Sequence, residues 1–496
     1  MSSERSPGEK ITVVPNAPPT LYRATGEPVH MLRAGIDWSR RRSLVAALVI
    51  IGLVALLSVF QLVRSLPDNW PYITGWEYEW IAEALARGEG FSFRGDHRWL
   101  FEPSDPDDRT DPAAYYATAW EEPIYPFLLA ACFRAFGEHG RVVMLVVHLL
   151  CFLATLGCVY QLGKSLAGPA AGLVAVAILA LIPRSLLTVS SHLVNSSLAG
   201  MLVVICVLLL LWCLEHASLR RALALGGALG ASVLVHAAAI AFVPVAGLLV
   251  LASERPTKPQ AWRSALVVVF AAAVIIAPWT VRNYLTFGEF VPVRTGLGFI
   301  ADLTNSSLAD TFRRGPVANA AVELPWTASG PAEAWPTLQL KEEERHEFYR
   351  YTIRTAKATS PQDFADLNEA ERDKVHLERA ISFLLSDPVI AMKLMLVKAA
   401  DFYFLRFGSH LRPDRAGLVA TLALIGVLVA YRDRRVQSLA LFILAYSAPY
   451  IVTGPFFYRY RYPIEPLMAV LAGIGVVWLG ERMFHLRRQS ASKAIS

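Results

Sequence analysis

Long apolar runs, nearly free of charge, recur along the chain and alternate with polar connectors. About 20 predominantly apolar residues in an α-helix are enough to cross the hydrocarbon core of a bilayer. The pattern therefore predicts an all-α polytopic membrane protein with about ten transmembrane helices, in a range of roughly 8 to 12. The predicted spans are residues 43–64, 141–163, 169–188, 196–215, 221–236, 238–252, 263–280, 416–431, 436–453 and 463–480.

The connectors predict how these spans are oriented, because Lys and Arg collect in the cytoplasmic connectors of membrane proteins. Basic residues precede the first span and then recur in the connectors that return to the same side of the membrane. This pattern places both termini in the cytoplasm. Two long connectors, residues 65–140 and 284–415, then lie on the outer face, where a site built from loops is expected. The basic connectors are residues 40–42, the one with Lys164, 216–221, 253–263 and 431–435.

This layout divides the chain into four regions. The polar segment before the first span is expected to be disordered, and it is too long for the start of a cleavable signal peptide. Residues 341–358 are predicted to form a surface helix, and residues 381–404 an amphipathic interfacial segment. The regions are a cytoplasmic tail (1–42), an N-terminal transmembrane module (43–283) that includes the outer loop 65–140, an outer-face region with amphipathic helices (284–415), and the C-terminal helices with a cytoplasmic tail (416–496).

The composition agrees with a membrane protein, since 54% of the residues are hydrophobic and 18% are charged, whereas charged residues make up about a quarter of a soluble domain. The net charge of +6 reflects the basic connectors and does not indicate nucleic-acid binding. The cysteines lie in apolar stretches without metal-ligand spacing, which predicts buried free thiols. An acidic run at residues 102–111 is either a solvated loop or a site for a divalent cation.

Two glutamates open a predicted helix in the first outer loop. In GWEYEWIAEALARGEGFSF (residues 75–93), apolar positions recur every three and four residues, and Gly88 and Gly90 end the helix. Glu77 lies in the first turn, where it either complements the helix dipole or serves as a general base at the membrane surface. Glu79 is the weaker candidate for the base, because it is rotated from Glu77 by about 200° around the helix axis.

A second acidic pair, Glu121 and Glu122, precedes another predicted helix. In WEEPIYPFLLAACFRAFG (residues 120–137), Pro123 begins an apolar stretch that ends at Gly137. This pattern predicts an interfacial helix that lies on the membrane.

Several cations are predicted at the outer boundary of the membrane, where the orientation rule gives no reason for them. Two follow from YRYRYPIEPL (residues 458–467), just before the last span. A single interfacial arginine often extends to lipid headgroups, but a group predicts an anionic, membrane-held ligand, because guanidinium groups bind phosphate through directional hydrogen bonds. The predicted binding residues are Arg282, Asn283, Lys398, Arg459 and Arg461, with Tyr458 and Tyr460, which either line a sugar pocket or form an interfacial aromatic belt.

Five segments, in this order, resemble the GT-C superfamily of integral-membrane glycosyltransferases over roughly residues 43–480, most closely its protein mannosyltransferase and aminoarabinose transferase-like branch (glycosyltransferase family 39-like). The resemblance implies a GT-C-like fold and an enzyme that moves a sugar, with inversion, from a polyprenyl-phosphate-linked donor. The acceptor would be a hydroxyl or amine of a protein, lipid or glycan on the outer face of a bacterial plasma (inner) membrane. The segments are EYEWIAEALARGEGFS, EEPIYPFLLAACFRAFG, APWTVRNYLTFGEFVPV, SDPVIAMKLMLVKAADFYF and RYRYPIEPL.

The resemblance also implies roles for individual residues. In the family, a carboxylate of the first outer loop deprotonates the acceptor, and basic residues hold the departing lipid phosphate. Glu77 matches the glutamate of the common Asp-x-x-Glu-Tyr pattern, whereas Thr74, or Gly75 if the register shifts by one residue, stands in place of its aspartate. Asn195 and Ser196 stand where the next outer loop often has an acidic residue, and His236 stands where many relatives have arginine.

Two other functions stay open. A polytopic transporter usually has internal repeats and ionisable residues near the middle of its spans, whereas this sequence has no evident repeat and gathers its polar residues at the outer boundary. Thr74 at the aspartate position is also consistent with a catalytically inactive relative. The sequence identifies neither the sugar nor the acceptor.

Overall fold

The computed structural model describes the membrane helices and part of the segments that connect them. The features expected at Thr74, at residues 102–111 and at residues 341–358 lie outside the described residues, as does most of the N-terminal tail. The described residues are 21–22, 28–29, 40–69, 77–95, 113–181, 193–216, 218–253, 258–305, 367–386, 388–404, 415–454 and 458–495.

Helices make up most of the described residues, together with two small antiparallel sheets. The strands are β1 (Leu21–Tyr22), β2 (Pro28–Val29), β3 (Ser92–Arg94) and β4 (Tyr115–Ala117). The helices are α1 (Arg40–Asn69), α2 (Glu77–Arg87), α3 (Ile124–Phe136), α4 (Gly140–Ala167), α5 (Pro169–Ala180), α6 (Ser196–Glu215), α7 (Leu219–Val235), α8 (Phe242–Leu251), α9 (Lys258–Phe287), α10 (Leu297–Thr304), α11 (Glu369–Ser386), α12 (Pro388–Phe404), α13 (Arg415–Val429), α14 (Arg434–Thr453), α15 (Tyr458–Arg461) and α16 (Glu465–Ile495).

The protein is a multi-pass integral membrane protein. Within the described part of the chain, six helical segments are long and apolar enough to cross a bilayer, or seven if the pair α11 and α12, bent by 109°, counts as one span. Each of the ten predicted spans contains helical residues, although a count of ten crossings stays a prediction. The six segments are Arg42–Phe60, Ile124–Ala167, Ser196–Glu215, Pro259–Phe287, Arg434–Thr453 and Tyr462–Arg487.

Small residues let the central helices pack closely. A Cβ atom added at Gly226 of α7 would overlap the carbonyl oxygen of Val268 in α9. In the same way, a Cβ at Gly426 of α13 would overlap the carbonyl of Leu471 in α16. Membrane helices gain little from the hydrophobic effect against lipid, so close backbone contact at small residues is a main source of their association.

The segment 219–251 is broken in its middle. Helix α7 ends at Val235, and His236 adopts an extended backbone conformation with φ −155° and ψ 105°. A short 3₁₀-helix, Ala237–Ala241, then leads into α8. The two predicted spans on either side of residue 237 therefore meet at a helix break, and backbone groups freed at a break inside a membrane protein need other hydrogen-bond partners.

The first outer loop forms a small layer beside the membrane helices. As predicted, α2 begins at Glu77 and ends at Arg87, where Gly88 has a φ of 89°. Strands β3 and β4 follow and pair antiparallel. The predicted helix after Glu122 is confirmed as α3, which ends at Gly137 with a φ of 57°.

The second outer region contributes α10, α11 and α12. Helix α10 packs against α11, and Gly298 allows the contact because a Cβ there would overlap the carbonyl oxygen of Asp373. The segment 381–404 is divided between two helices, α11 and α12, and Pro388 begins the second. Proline suits the first position of a helix because its missing N–H has no intrahelical partner there.

Candidate functional site at a helix break

A cavity of about 310 Å³ opens beside the helix break. Its volume is at the lower end of the range of small-molecule binding sites. One part of its wall is polar and is formed by Glu122, His236, Arg294, Tyr450 and Tyr460. Much of the rest is apolar and is formed by Ile240, Pro292, Val293, Leu297, Ile300 and Pro449. The cavity therefore suits an amphiphilic ligand with a polar end and an apolar chain.

The helix break is held open by two side chains from other parts of the chain. The Asn195 Nδ2 donates a hydrogen bond of 2.6 Å to the Val235 carbonyl, at the end of α7. The Ala237 backbone N–H donates to Glu122 Oε1 at 2.8 Å, at the start of the next helical segment. A carboxylate is favourable at this position, because the N-terminus of a helix carries partial positive charge.

Glu122 is buried, with 1% of its surface exposed, and is surrounded by donors. Its Oε2 accepts from Asn195 Nδ2 at 3.3 Å and from the Tyr78 hydroxyl at 3.4 Å, and its Oε1 lies 3.6 Å from Arg294 Nη1. Burial acts to raise the pKa of Glu122, but attraction to the Arg294 guanidinium and the hydrogen bond from the Ala237 N–H outweigh it, so this pKa lies below its usual value. Glu122 is therefore ionised and is a weak base.

Arg294 carries positive charge to the cavity. Its Nη1 donates to Glu121 Oε2 at 3.1 Å, and its Nε donates to the Thr295 carbonyl at 3.2 Å. Burial acts to lower the pKa of Arg294, but Glu121 and Glu122 raise it further, so the guanidinium stays charged. Among the described residues, Nη2 of Arg294 has no hydrogen-bond partner, which leaves donors for a ligand.

A carboxylate from α11 fastens both segments that supply this ion pair. Glu369 accepts hydrogen bonds from the Thr118 hydroxyl at 2.7 Å and from the Ala119 backbone N–H at 3.0 Å. It also accepts from the hydroxyl of Thr295, the residue that follows Arg294. The segment that leads to Glu122 and the segment that carries Arg294 are thus joined through one side chain.

The structure separates the two candidate bases. Glu77 is 7% exposed, and within the described part of the chain its Oε2 has no hydrogen-bond partner. Glu77 does not line the cavity, but the neighbouring Tyr78 contacts Glu122. Glu79 Oε1, by contrast, accepts a hydrogen bond from Arg141 Nε. Of the two, Glu77 is the one with a buried carboxylate oxygen that is available to take a proton.

Arg282 is held by the protein itself. Its Nη1 donates to the Thr118 carbonyl at 2.7 Å, and its Nη2 donates to the Phe91 carbonyl at 3.0 Å. Its guanidinium also lies 4.9 Å from the centre of the Trp279 ring. Arg282 therefore links α9 to the first outer loop.

Asn283 has a similar local partner set. Its Nδ2 donates to the carbonyls of Val291 and Val293, each at 3.1 Å. These bonds shape the turn that leads from α9 to Arg294. Asn283 itself is buried and does not line the cavity.

The cations of the C-terminal half also have partners within the protein. Arg461 is fully buried, and its Nη2 donates to Glu465 Oε1 at 3.0 Å. Its Nη1 donates to the Tyr403 carbonyl at 2.9 Å, so it joins α12 to the start of α16. Lys398 donates to Asn305 Oδ1 at 2.7 Å. Arg282, Lys398 and Arg461 thus occupy three different environments, and none of them lines the cavity.

Of the other predicted binding residues in the YRYR segment (458–461), one lines the cavity. Tyr460 lines the cavity, and its ring stacks on Tyr450 with centroids 4.9 Å apart. Tyr458 and Arg459 belong to α15, and their side chains lie outside the described part of the structure. No group of three or more His, Cys, Asp or Glu side chains that could hold a metal occurs in the described ranges.

Sequence reasoning did not single out Arg294, Tyr450 or Glu369. Arg294 follows the apolar triplet 291–293, and its two carboxylate partners, Glu121 and Glu122, lie more than 170 residues earlier in the sequence. Tyr450 follows Tyr446 by one helical turn inside a span, so two hydroxyls recur on one face of an apolar helix. Nothing in the sequence near Glu369 identifies its partners, which lie more than 70 residues away.

Part of the sequence matches a family of known proteins. A family model described as dolichyl-phosphate-mannose-protein mannosyltransferase matches residues 120–281. The match spans Glu121, Glu122, Asn195 and His236, so it includes most of the residues around the helix break. No curated protein sequence is significantly similar to the chain.

Solved structures of other proteins align with most of this chain. The archaeal oligosaccharyltransferase AglB from Archaeoglobus fulgidus, solved with an inhibitory peptide and a dolichol-phosphate, aligns with a TM-score of 0.50 and 15% identity, over 90% of this chain and 52% of its own. ArnT from Cupriavidus metallidurans, bound to undecaprenyl phosphate, aligns with a TM-score of 0.35 and 13% identity, over 88% of this chain and 78% of its own. This chain spans about half the length of AglB.

Proposed function

We propose that the chain is a member of the GT-C superfamily of integral-membrane glycosyltransferases and that it transfers a sugar from a polyprenyl-phosphate-linked donor to an acceptor hydroxyl or amine. The transfer takes place on the outer face of the bacterial plasma membrane, with both termini of the chain in the cytoplasm. The family match and the similarity to AglB, which was solved with a dolichol-phosphate, support this class of donor.

The observation that carries the proposal is the cavity with Arg294 at its polar end and apolar residues along its walls. A polyprenyl phosphate has the same division into an anionic head and an apolar chain. Arginine binds phosphate well, because its planar guanidinium presents several N–H donors at fixed angles. Glu121 and Glu122 hold this guanidinium in place, so it is already positioned before the ligand arrives.

The proposed reaction needs one base and one stabilised leaving group. A phosphate leaves without being protonated if nearby cations neutralise the charge that develops on it. Arg294 supplies that charge. Glu77 accepts the proton of the acceptor hydroxyl, which must come within about 3 Å of the carboxylate. Displacement from the face opposite the phosphate inverts the anomeric carbon.

The other predicted cations act around this centre. Arg282, Lys398 and Arg461 support the walls of the site through their bonds to the protein, and Asn283 shapes the turn before Arg294. Arg459 and Tyr458, which are close in sequence to the cavity residue Tyr460, remain the additional candidates for contact with the lipid phosphate.

The donor class is tested first by mass spectrometry of lipids that co-purify with the protein in mild detergent. A polyprenyl phosphate or its sugar-linked form is expected. Binding of radiolabelled undecaprenyl phosphate to the protein in nanodiscs then gives a direct measurement. A protein that neither retains a polyprenyl lipid nor binds undecaprenyl phosphate contradicts the proposed function.

Arg294 is tested by replacing it with Gln and with Lys. Loss of one fixed group that stabilises developing charge lowers kcat by about 100- to 1,000-fold. The kcat of sugar transfer should therefore fall by this factor in Arg294→Gln, and the kcat of Arg294→Lys should lie between that of Arg294→Gln and that of the wild type. Arg432→Ala, an exposed arginine in a predicted cytoplasmic connector, is the matched control. Folded Arg294 variants with wild-type transfer rates would contradict this role.

A further inference from the structure

Asn195, His236 and Tyr450 form a row of polar contacts that begins at Glu122 and follows the polar part of the cavity wall. Asn195 Nδ2 lies 3.2 Å from His236 Nδ1, and His236 Nε2 lies 2.6 Å from the hydroxyl of Tyr450. His236 stands at the helix break, and Tyr450 comes from α14, more than 200 residues later in the sequence. None of these three side chains takes part in the proposed transfer step.

The orientation of the Asn195 amide follows from two neighbours that only accept hydrogen bonds. Its Nδ2 lies 2.6 Å from the Val235 carbonyl oxygen and 3.3 Å from Glu122 Oε2. A rotated amide would place its own oxygen against both of these oxygen atoms, which is unfavourable. The NH₂ group of Asn195 therefore faces His236.

This orientation determines which nitrogen of His236 carries the proton. The two hydrogens of this NH₂ group are shared among the Val235 carbonyl, Glu122 Oε2 and His236 Nδ1, and an amide nitrogen accepts no hydrogen bond. A protonated Nδ1 would therefore face a group that only donates, so Nδ1 is unprotonated. The imidazole is then neutral with its proton on Nε2, because the partner of one ring nitrogen sets the state of the other. His236 Nε2–H consequently donates to the Tyr450 oxygen.

The hydroxyl proton of Tyr450 is thus not shared with His236. The nearest aromatic neighbour with a hydroxyl on the same helix is Tyr446, with ring centroids 5.5 Å apart. Within the described ranges, the Tyr446 hydroxyl makes no hydrogen bond of normal geometry. In its electrostatic interaction with Tyr450, Tyr446 is the donor and the Tyr450 oxygen is the acceptor, so the Tyr450 proton is not used. Tyr450 lines the cavity, and the proton is free to point toward a ligand there.

We propose that Tyr450 donates a hydrogen bond to a phosphate oxygen of the bound lipid, and that His236, oriented by Asn195, is the positioning residue that keeps the hydroxyl proton directed into the cavity. This inference rests on the proposed function for the identity of the lipid. Tyr450 and Arg294 line the same cavity, so a phosphate there receives a hydrogen bond from a neutral hydroxyl as well as from a guanidinium. The hydroxyl adds direction without adding charge.

The first test measures binding of undecaprenyl phosphate to the wild-type protein and to Tyr450→Phe. A lost hydrogen bond to a charged group should weaken binding by roughly 10- to 100-fold. Tyr403→Phe is the matched control, because Tyr403 also shares a 2.6 Å hydrogen bond with α14, through Ser447, but does not line the cavity. It should bind undecaprenyl phosphate like the wild type.

The role of His236 is tested through its coupling to Tyr450. His236→Leu should weaken binding, and His236→Gln should recover part of the loss because its amide can still donate to Tyr450. In a Tyr450→Phe background, His236→Leu should cause little further loss, as expected for a residue that acts through the hydroxyl. Equal losses from His236→Leu in both backgrounds would overturn the positioning role.

Other outcomes separate this inference from the proposed function. A wild-type protein that does not bind undecaprenyl phosphate overturns both. If folded Tyr450→Phe binds undecaprenyl phosphate like the wild type, only the inference is overturned. The inference is also overturned if Tyr450→Phe weakens binding of the sugar-linked lipid but not of undecaprenyl phosphate, because the hydroxyl would then contact the sugar. Nitrogen-15 NMR of labelled His236 is a readout that needs no ligand. We expect a protonated Nε2 and an unprotonated Nδ1. A proton on Nδ1, either alone or together with one on Nε2, would overturn the proposed order of hydrogen bonds.

Discussion

Glu369 offers the sharpest test of how the site is held together. Its carboxylate accepts three hydrogen bonds from two segments that are far apart in sequence, at Thr118–Ala119 and at Thr295. The first segment precedes Glu122 by a few residues, and Thr295 directly follows Arg294. Replacing Glu369 with Ala removes all three bonds, whereas Glu369→Gln keeps one carbonyl oxygen as an acceptor.

The magnitude follows from the partners that are left behind. A hydrogen bond to a charged group contributes about 1.5–3 kcal/mol, and an unpaired buried N–H costs about 1–3 kcal/mol. The three bonds share one partly buried carboxylate, so they do not add in full. We expect Glu369→Ala to lower the free energy of unfolding by about 2–4 kcal/mol and Glu369→Gln by about half of that.

The assay is unfolding by SDS titration in mixed micelles, followed by binding of undecaprenyl phosphate to the folded variants in nanodiscs. Since Arg294 and Glu122 lose their common support, binding should weaken by roughly tenfold in Glu369→Ala and less in Glu369→Gln. Glu378→Ala, an exposed carboxylate on the same helix, is the control. If Glu369→Ala unfolds and binds like Glu378→Ala, the carboxylate does not support the site and the reasoning is refuted.

Three further predictions concern the remaining carboxylates and the helix contacts. Glu77→Gln should abolish sugar transfer but keep binding of undecaprenyl phosphate, whereas Glu79→Gln should mainly destabilise the protein because it weakens the contact with Arg141. Full transfer activity in Glu77→Gln together with a loss of activity in Glu79→Gln would contradict the assignment of Glu77 as the base. The pKa of Glu122 in the folded state is lowered from 4.5, so the ionised carboxylate should stabilise the protein above pH 4.5 and lose this contribution as the pH falls through the lower folded-state value. The difference in thermal stability between the wild type and Glu122→Gln should therefore shrink at acidic pH. A difference that stays constant down to pH 3 would argue against this contribution. Gly226→Ala should destabilise the protein by about 1–3 kcal/mol through overlap with α9, whereas Gly227→Ala, with open space around it, should be neutral or stabilising in thermal unfolding.

Local patterns were sufficient to predict the helices and the ends of several of them. Helix α2 begins at Glu77 and stops before Gly88, as the spacing of its apolar residues and its glycines indicated. The apolar runs likewise predicted where the membrane helices lie. These features depend on residues that are close together in sequence, so one sequence contains most of the information.

The site was harder to predict because its contacts are long-range. Arg461 looked like a ligand for phosphate, but Glu465, one helical turn later, is its partner. That pairing was visible in the sequence as an i, i+4 spacing. The carbonyls that hold Arg282 were not visible, since they come from loops whose positions depend on the whole fold. Side-chain chemistry predicted a class of site, whereas the residues that line the candidate cavity depend on the tertiary structure.

The break at His236 has a consequence for how the molecule assembles. Pro244 stands in the first turn of α8, where its missing N–H has no intrahelical partner, but in one continuous helix it would clash with the carbonyl of Ile240. The segment therefore favours a bend by itself, and the carboxylate of Glu122 and the amide of Asn195 bind the backbone groups at the break. A peptide of residues 219–251 alone in lipid should be kinked before Pro244, whereas the cavity needs the neighbouring helices that deliver those two groups.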